Sequence, residues 1–196
     1  MDAEELSRII EDEGIHLYGT VPVEGGGPAG ELLSRSLHAE QRYRRGVERG
    51  RHGGMDFLAS HAELKYRPGR LLEGCRSILF IAVPYYRQDG PPPQDPAGRV
   101  ARYARGRDYH KTVKSLLKRI AGRLGEAYPG AQLRAFVDSG PLDERHYAAG
   151  RLGFIGRNGL LISRRYGSWF FLGEILIDAA LPDTGPADAE SEMESE

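Results

Sequence analysis

Apolar residues recur along the chain with two periods, and the switches between them mark its elements. Leu6, Ile9 and Ile10 stand at helical spacing among acids over residues 4–13, and Gly14 follows where a helix C-terminal glycine would sit, which predicts a short amphipathic helix. HLYGTVPVE (16–24) then alternates apolar and polar positions as a strand does, GGGPAG (25–30) breaks the pattern with turn chemistry, and residues 31–53 return to a polar, arginine-rich helical pattern. SILFIAVPYY (77–86) is short, β-branched and aromatic, which predicts a buried strand, and the turn-rich DGPPPQDPAG (89–98) after it predicts a long loop. Val113, Leu116, Leu117, Ile120 and Leu124 form one helical face with lysines and arginines opposite, and Asp108 stands where an N-cap belongs.

QLRAFVDS (132–139) reads as a strand ending at Asp138, and SGPLDERHYAAGRLG as a helix with proline near its first turn and a closing glycine. GFIGRNGLLIS and SWFFLGEILID read as two strands joined by a turn at RRYG (164–167). Strands separated by helices, with a late hairpin, imply an α/β or α+β sandwich: a mixed sheet flanked by helices. Residues 1–182 are expected to be one domain and residues 183–196, rich in acids, a disordered tail.

The whole-chain charge of −1 hides an asymmetry. Setting aside the six acids of the tail leaves residues 1–182 at about +5 by the same formal count. Between Arg99 and Arg123 stand nine lysines or arginines and one acid, Asp108; a second arginine group occupies residues 35–51. These charges suit either a phosphate-facing surface or a solvated helix face, and Tyr103 and Tyr109 among them suit either base stacking or a core. The single cysteine, Cys75, excludes an internal disulfide and a cysteine-rich metal or cluster site supplied by these residues alone. Its place beside the predicted buried strand points to a core role. The acidic start, the short apolar runs and the cysteine usage together imply a cytoplasmic protein with no membrane span.

Asp138 is the first candidate for chemistry, because it closes an apolar strand just ahead of a helix, where α/β folds place ligand-contacting groups. With Phe136, Val137 and Phe154 as apolar neighbours it suits a general acid; the competing reading is a helix cap or turn former. Asp143 and Glu144 fall in the first turn of the next predicted helix, where acids favour the dipole. GRNG (156–159) and GSWFFLGE (167–174) place glycines where a flat ligand could meet the backbone, or where the chain merely turns. No histidine pair has metal-binding spacing.

Taken together, GMDFLASHAELKYRPGRLLEGCRSILFIAVPYY, RYARGRDYH, FVDSGPLDERHYAAGRLGFIGRNGLLI and YGSWFFLGEIL resemble, in order from about residue 15 to residue 182, the N-terminal domain of the epoxyqueuosine reductase family. The resemblance implies a nitroreductase-like sandwich similar to the cobalamin-trafficking chaperone, with a corrin-sized pocket for cobalamin (vitamin B12). It implies the last step of queuosine synthesis, in which epoxyqueuosine in tRNA loses its epoxide oxygen as water. Asp138 matches the aspartate of the family's Val-Asp-Thr/Ser motif, which protonates the opening epoxide. Under the same resemblance Tyr103, Arg105, Tyr109 and His110 line the cofactor and substrate cleft, and Asn158, Ser168 and Trp169 meet the corrin or its nucleotide tail. Arg99, Arg102, Arg107, Lys111 and Lys114 hold tRNA phosphates, with the modified base extruded into the pocket. The family's 4Fe–4S clusters, held in Cys-x-x-Cys-x-x-Cys-x-x-x-Cys-Pro blocks, have no counterpart among these residues. Three explanations stay open at this point: a separate ferredoxin-type electron donor, a truncated or inactive copy, or a non-catalytic cobalamin-binding or carrier module.

Overall fold

The computed structural model describes residues 1–23, 28–88, 100–138 and 140–185, with side chains from residue 37 onward in the second helix. The tail residues 186–196, Arg99 and the whole of the predicted loop 89–98 lie outside that set. The elements are α1 (Ala3–Glu11), β1 (Tyr18–Pro22), α2 (Pro28–Glu48), α3 (Asp56–Ser60), α4 (Pro68–Leu71), β2 (Ser77–Pro84), a 3-10 turn (Arg102–Ala104), α5 (Tyr109–Ala127), β3 (Leu133–Val137), α6 (Glu144–Ala148), β4 (Phe154–Ile155), β5 (Leu161–Ile162) and β6 (Phe170–Ile177).

A four-stranded sheet in the order β1-β2-β6-β3 forms the middle layer. One face carries Leu79, Ile81 and Ile175 against the predicted stripes of α1 and α5: Leu6, Ile9, Ile10, Val113, Leu117, Ile120 and Leu124. On the other face, Ile78, Phe80 and Leu176 pack beneath Leu71, Leu72, Tyr147, Ala148, Leu152 and Leu161. Gly173 lets α5 lie close to β6, since a Cβ there would stand 3.1 Å from both Val113 and Leu117. Cys75 is buried in the core, and burial pushes its thiol up to about 11.

The class is the expected helix-flanked sandwich, but each described strand pairing in the sheet is antiparallel rather than mixed. β2 and β3 do run in the same direction, as their helical connection through α5 suggests, yet β6 comes between them and opposes both. The two late strands also differ from expectation. The first one breaks at GRNG into the separate hairpin β4–β5, and only β6 joins the sheet. The sequence between 139 and 153 holds a helix of five residues, α6.

The boundary at residue 182 needs correction for the next three residues. Asp183 accepts from Arg151 at 2.6 Å, and Thr184 Oγ1 accepts from the Thr20 amide at 3.2 Å, so this segment covers the open edge of β1.

At the other end of the chain, Asp2 caps α1 by accepting from the Glu5 amide at 2.9 Å. Asp2→Ala is expected to cost about 1 kcal/mol in urea unfolding, because an orphan amide of the first turn loses its acceptor.

Candidate active site

Where β3 ends, the chain turns out of the sheet at Asp138, and the first residues of α5 come up beside it. Asp108 caps α5 by accepting from the His110 amide at 3.0 Å, which fixes how Tyr109 and His110 leave the helix. The Tyr109 hydroxyl donates to Asp138 Oδ2, and His110 Nε2 lies 3.1 Å from Asp138 Oδ1. The other ring nitrogen of His110 lies 3.0 Å from Asp108 Oδ1. An imidazole between two carboxylates donates to both only when doubly protonated. The hydrogen bond from His110, with burial opposing it, holds Asp108 below the usual carboxylate range. Burial, and then the Asp138 carboxylate, hold the Tyr109 phenol above its ordinary value.

Tyr109 is fixed from behind as well. Its ring stacks on Phe171 at 4.0 Å with an interplanar angle of 2°, and Phe171 lies 4.6 Å from Tyr85. This aromatic column is a wall between two spaces. On one side lies a cavity of about 210 Å³ lined by Tyr109, Asp138, Glu144, Leu161, Ser168 and Phe171. On the other lies a groove of about 640 Å³ whose lining includes Tyr85, Arg87, Arg102, Arg105 and Arg107.

A third and larger space, about 1020 Å³, opens between α2, α6 and the β4–β5 hairpin. It meets the Asp138 cavity at Arg145 and Gly159, which line both. The Arg145 guanidinium donates to the Gly159 carbonyl at 2.7 Å and so ties the hairpin loop to α6. Asp143, assigned from sequence to a helix dipole, is instead a wall of this space. Its carboxylate is 4% exposed, accepts from the Tyr66 hydroxyl at 2.5 Å and lies 2.9 Å from His146 Nδ1. Burial alone would raise Asp143, but these partners outweigh it and hold the group below its ordinary value.

The structure brings Tyr109, His110 and Ser168 together with Asp138 and places the other expected residues elsewhere. Arg105 lines the basic groove and donates to the Val100 carbonyl at 2.9 Å, and Tyr103 is exposed in the 3-10 turn. Trp169 packs at the rim against Tyr85 and Tyr86, with the Arg102 guanidinium 5.4 Å over its ring. Asn158 accepts from the Leu160 amide at 3.1 Å, a turn-forming role. A Cβ at Gly156 would lie 2.6 Å from Ile162 and 2.8 Å from Asn158, so the close packing there needs glycine, whose backbone lines the large cavity.

Asp138 also differs from expectation, since its carboxylate is 41% exposed between polar partners rather than set among Phe136, Val137 and Phe154. Sequence reading passes over Tyr85, Phe171, Arg145 and Glu174. Only the tertiary fold brings Tyr85, Phe171 and Arg145 to these walls.

Of the expected phosphate contacts, Arg107 and Lys111 share a groove of about 810 Å³ with Glu13 and Arg119, and Lys114 is exposed on α5. Arg119 and Arg123 are drawn back to α1, at 2.7 Å from Glu13 and 2.9 Å from Asp12. In the earlier basic stretch, Arg44 pairs with Glu40 at 2.9 Å and with Glu63 at 2.8 Å. Part of the sequence's basic character is therefore structural.

Comparison with known proteins places this architecture. Residues 65–139, which include Asp138, match the family described as "Epoxyqueuosine reductase QueG, DUF1730". An epoxyqueuosine reductase of Pseudomonas aeruginosa is 39% identical over 157 residues, covering 77% of this chain and 43% of that protein. The structure of epoxyqueuosine reductase from Streptococcus thermophilus aligns with a TM-score of 0.72 at 28% identity, over 92% of this chain and 46% of that one. An epoxyqueuosine reductase crystallised with an epoxyqueuosine-modified tRNA stem loop has the same fold, with a TM-score of 0.68 at 22% identity over 93% of this chain and 47% of that one. The chain spans about half the length of the relatives that it matches.

Proposed function

Because the chain belongs, over the half of its relatives' length that it spans, to the epoxyqueuosine reductase family, we propose that it carries the pocket in which epoxyqueuosine in tRNA is reduced to queuosine. The observation that carries this reading is Asp138, solvent-accessible at the end of β3 and held by Tyr109 and His110 at the wall of a small cavity. An epoxide oxygen leaving as water needs a nearby acid, and the carboxyl of Asp138 can deliver a proton there as general acid. Tyr109 and His110 hold that carboxyl in one orientation, and the Tyr85–Phe171–Tyr109 column keeps Tyr109 in place.

A cobalamin held beside this acid would supply the reducing chemistry. The larger cavity fits a corrinoid by its size and its donor set. Arg42, Arg145, Arg157 and His38 offer donors to amide or phosphate oxygens, and Tyr43, Phe154 and Ile155 offer apolar surface. This replaces Asn158 and Trp169 as the residues that hold the cofactor.

The basic groove beyond the aromatic wall, with Arg102, Arg105 and Arg107, suits tRNA phosphates, and exposed Lys111 and Lys114 extend that surface. With one cysteine, buried in the core, these residues hold no 4Fe–4S cluster, so on this reading the electrons come from clusters outside them. Among the described residues no helix is long and apolar enough to cross a membrane. We place the reaction in the cytoplasm, where tRNA is modified.

A visible-absorption titration with cob(II)alamin tests the pocket, and tRNA binding across a salt series tests the groove. The expected results are a saturable spectral shift and micromolar tRNA affinity that falls steeply with salt. A shift without tRNA affinity would replace the reductase reading with a cobalamin carrier, and no shift would remove the cofactor from it.

A further inference from the structure

Beneath the Asp138 cavity lies a pair of acids that the proposed reaction has not used. Glu174 is on β6, in register with Phe80 of β2 and Phe136 of β3, and is 1% exposed on the face of the sheet that packs the core. Its carboxyl lies against that of Glu144, and its Oε2 atom is buried without a hydrogen-bond partner. Glu144, from the first turn of α6, continues from this contact to the cavity wall that it shares with Asp138. Two carboxyl groups in contact within an apolar layer cannot both ionise, because each would lose its hydration and face a like charge. A strand position between two phenylalanines is a costly place for an acid that does nothing.

We propose that Glu144 and Glu174 are a proton store for Asp138: the pair holds one shared proton at neutral pH and passes it through Glu144 to the Asp138 carboxylate, which delivers it to the substrate. This rests on the assignment of Asp138 as the acid. The step moves no electrons. An O–H bond of Glu144 breaks, an O–H bond forms on the Asp138 carboxylate, directly or through one water in the cavity, and the pair regains its proton from solvent. The groups that act on the pair are Lys65 from the segment after α3, Asp138 from the end of β3, and Asp143 ahead of α6, with Arg145 on the same cavity wall; β2 presents Phe80, and β3 presents Phe136, over which lies Arg134 with its guanidinium bonded to the Leu71 carbonyl. Lys65 favours ionisation, while Asp138 and, for Glu144, Asp143 oppose it. Burial is the largest influence and pushes Glu144 up to about 7, which sets the store in the range where the reaction runs.

Infrared spectroscopy of the full chain reads the pair without any assay of activity. The protonated-carboxyl stretch is expected to persist at neutral pH; its component with a midpoint near 7 is lost in Glu144→Gln, and the component that outlasts it at higher pH is lost in Glu174→Gln. In Asp138→Asn that midpoint moves down, because a facing negative charge has been removed. Absence of the neutral-pH band, or a midpoint unmoved by Asp138→Asn, overturns the proposal. In turnover assays with cobalamin and a reductant, Glu144→Gln is expected to slow steady-state reduction about tenfold. The same variant removes the fall in rate as pH rises through about 7, and Glu144→Asp restores that limb. An unchanged rate and pH profile in Glu144→Gln would also overturn it. If the wild-type chain shows the infrared behaviour but reduces no epoxide, the reductase reading fails while the coupled pair stands.

Discussion

Asp138→Asn is expected to lower epoxide reduction about 10²–10⁴-fold with cobalamin, a reductant and modified tRNA supplied, the usual scale for loss of a positioned general acid. The substitution keeps the shape of the side chain and an oxygen that can still accept from Tyr109, so neither the stack on Phe171 nor the cap of α5 is disturbed. What it removes is the acidic proton. Melting temperature and cobalamin affinity should therefore match the wild type, since the carboxylate is 41% exposed and lies across Arg145 and Gly159 from the larger cavity. tRNA affinity should hold as well, because the basic groove lies beyond the aromatic wall. A variant that binds both ligands and still turns over at the wild-type rate would remove Asp138 from the chemistry. A variant that loses cobalamin binding as well would make Asp138 a cofactor contact instead.

Why Asp138 was legible and its surroundings were not follows from how far along the chain each signal acts. The stripe from Val113 to Leu124 is local, and α5 buries those very residues; the cap at Asp108 is local too, and it appears as read. Asp138 inherited its visibility from the strand that it closes. Tyr109 and His110 reach Asp138 across 29 and 28 positions in sequence, and nothing between them announces the meeting. The antiparallel sheet escaped for the same reason. A strand, a helix and a second strand imply parallel neighbours, and only the length and apolarity of β6, which pairs with both, could have suggested that it belongs between them. Asp143 and Glu144 show the opposite error, in which a sufficient local explanation hid a tertiary one. Acids ahead of a helix satisfy the dipole rule, yet α6 has five residues and no side-chain cap, and both acids turn inward to Tyr66, His146 and Glu174.

The buried acid on β6 should make the fold less stable as pH rises, and Glu174→Gln should remove much of that dependence. In the folded chain, burial and then the neighbouring Glu144 hold Glu174 well above its ordinary value of 4.5. Between that value and the raised one, the native state binds a proton that the unfolded chain has released. Stability therefore falls with rising pH across that interval, whereas below it the group is neutral in both states and contributes no slope. Glutamine keeps the volume and a donor toward Glu144 but never ionises, so the variant should match the wild type near pH 4 and exceed it near pH 8. Urea unfolding at a series of pH values measures this directly. Asp143 supplies an internal contrast, since its partners hold it below 3.8 and its contribution is lost only as pH falls through the acid range. Acid destabilisation should thus survive in Glu174→Gln while the loss on the alkaline side is reduced. Parallel stability curves for the two proteins above pH 5 would show that Glu174 ionises as readily folded as unfolded, and the carboxyl pair would then have no proton to store.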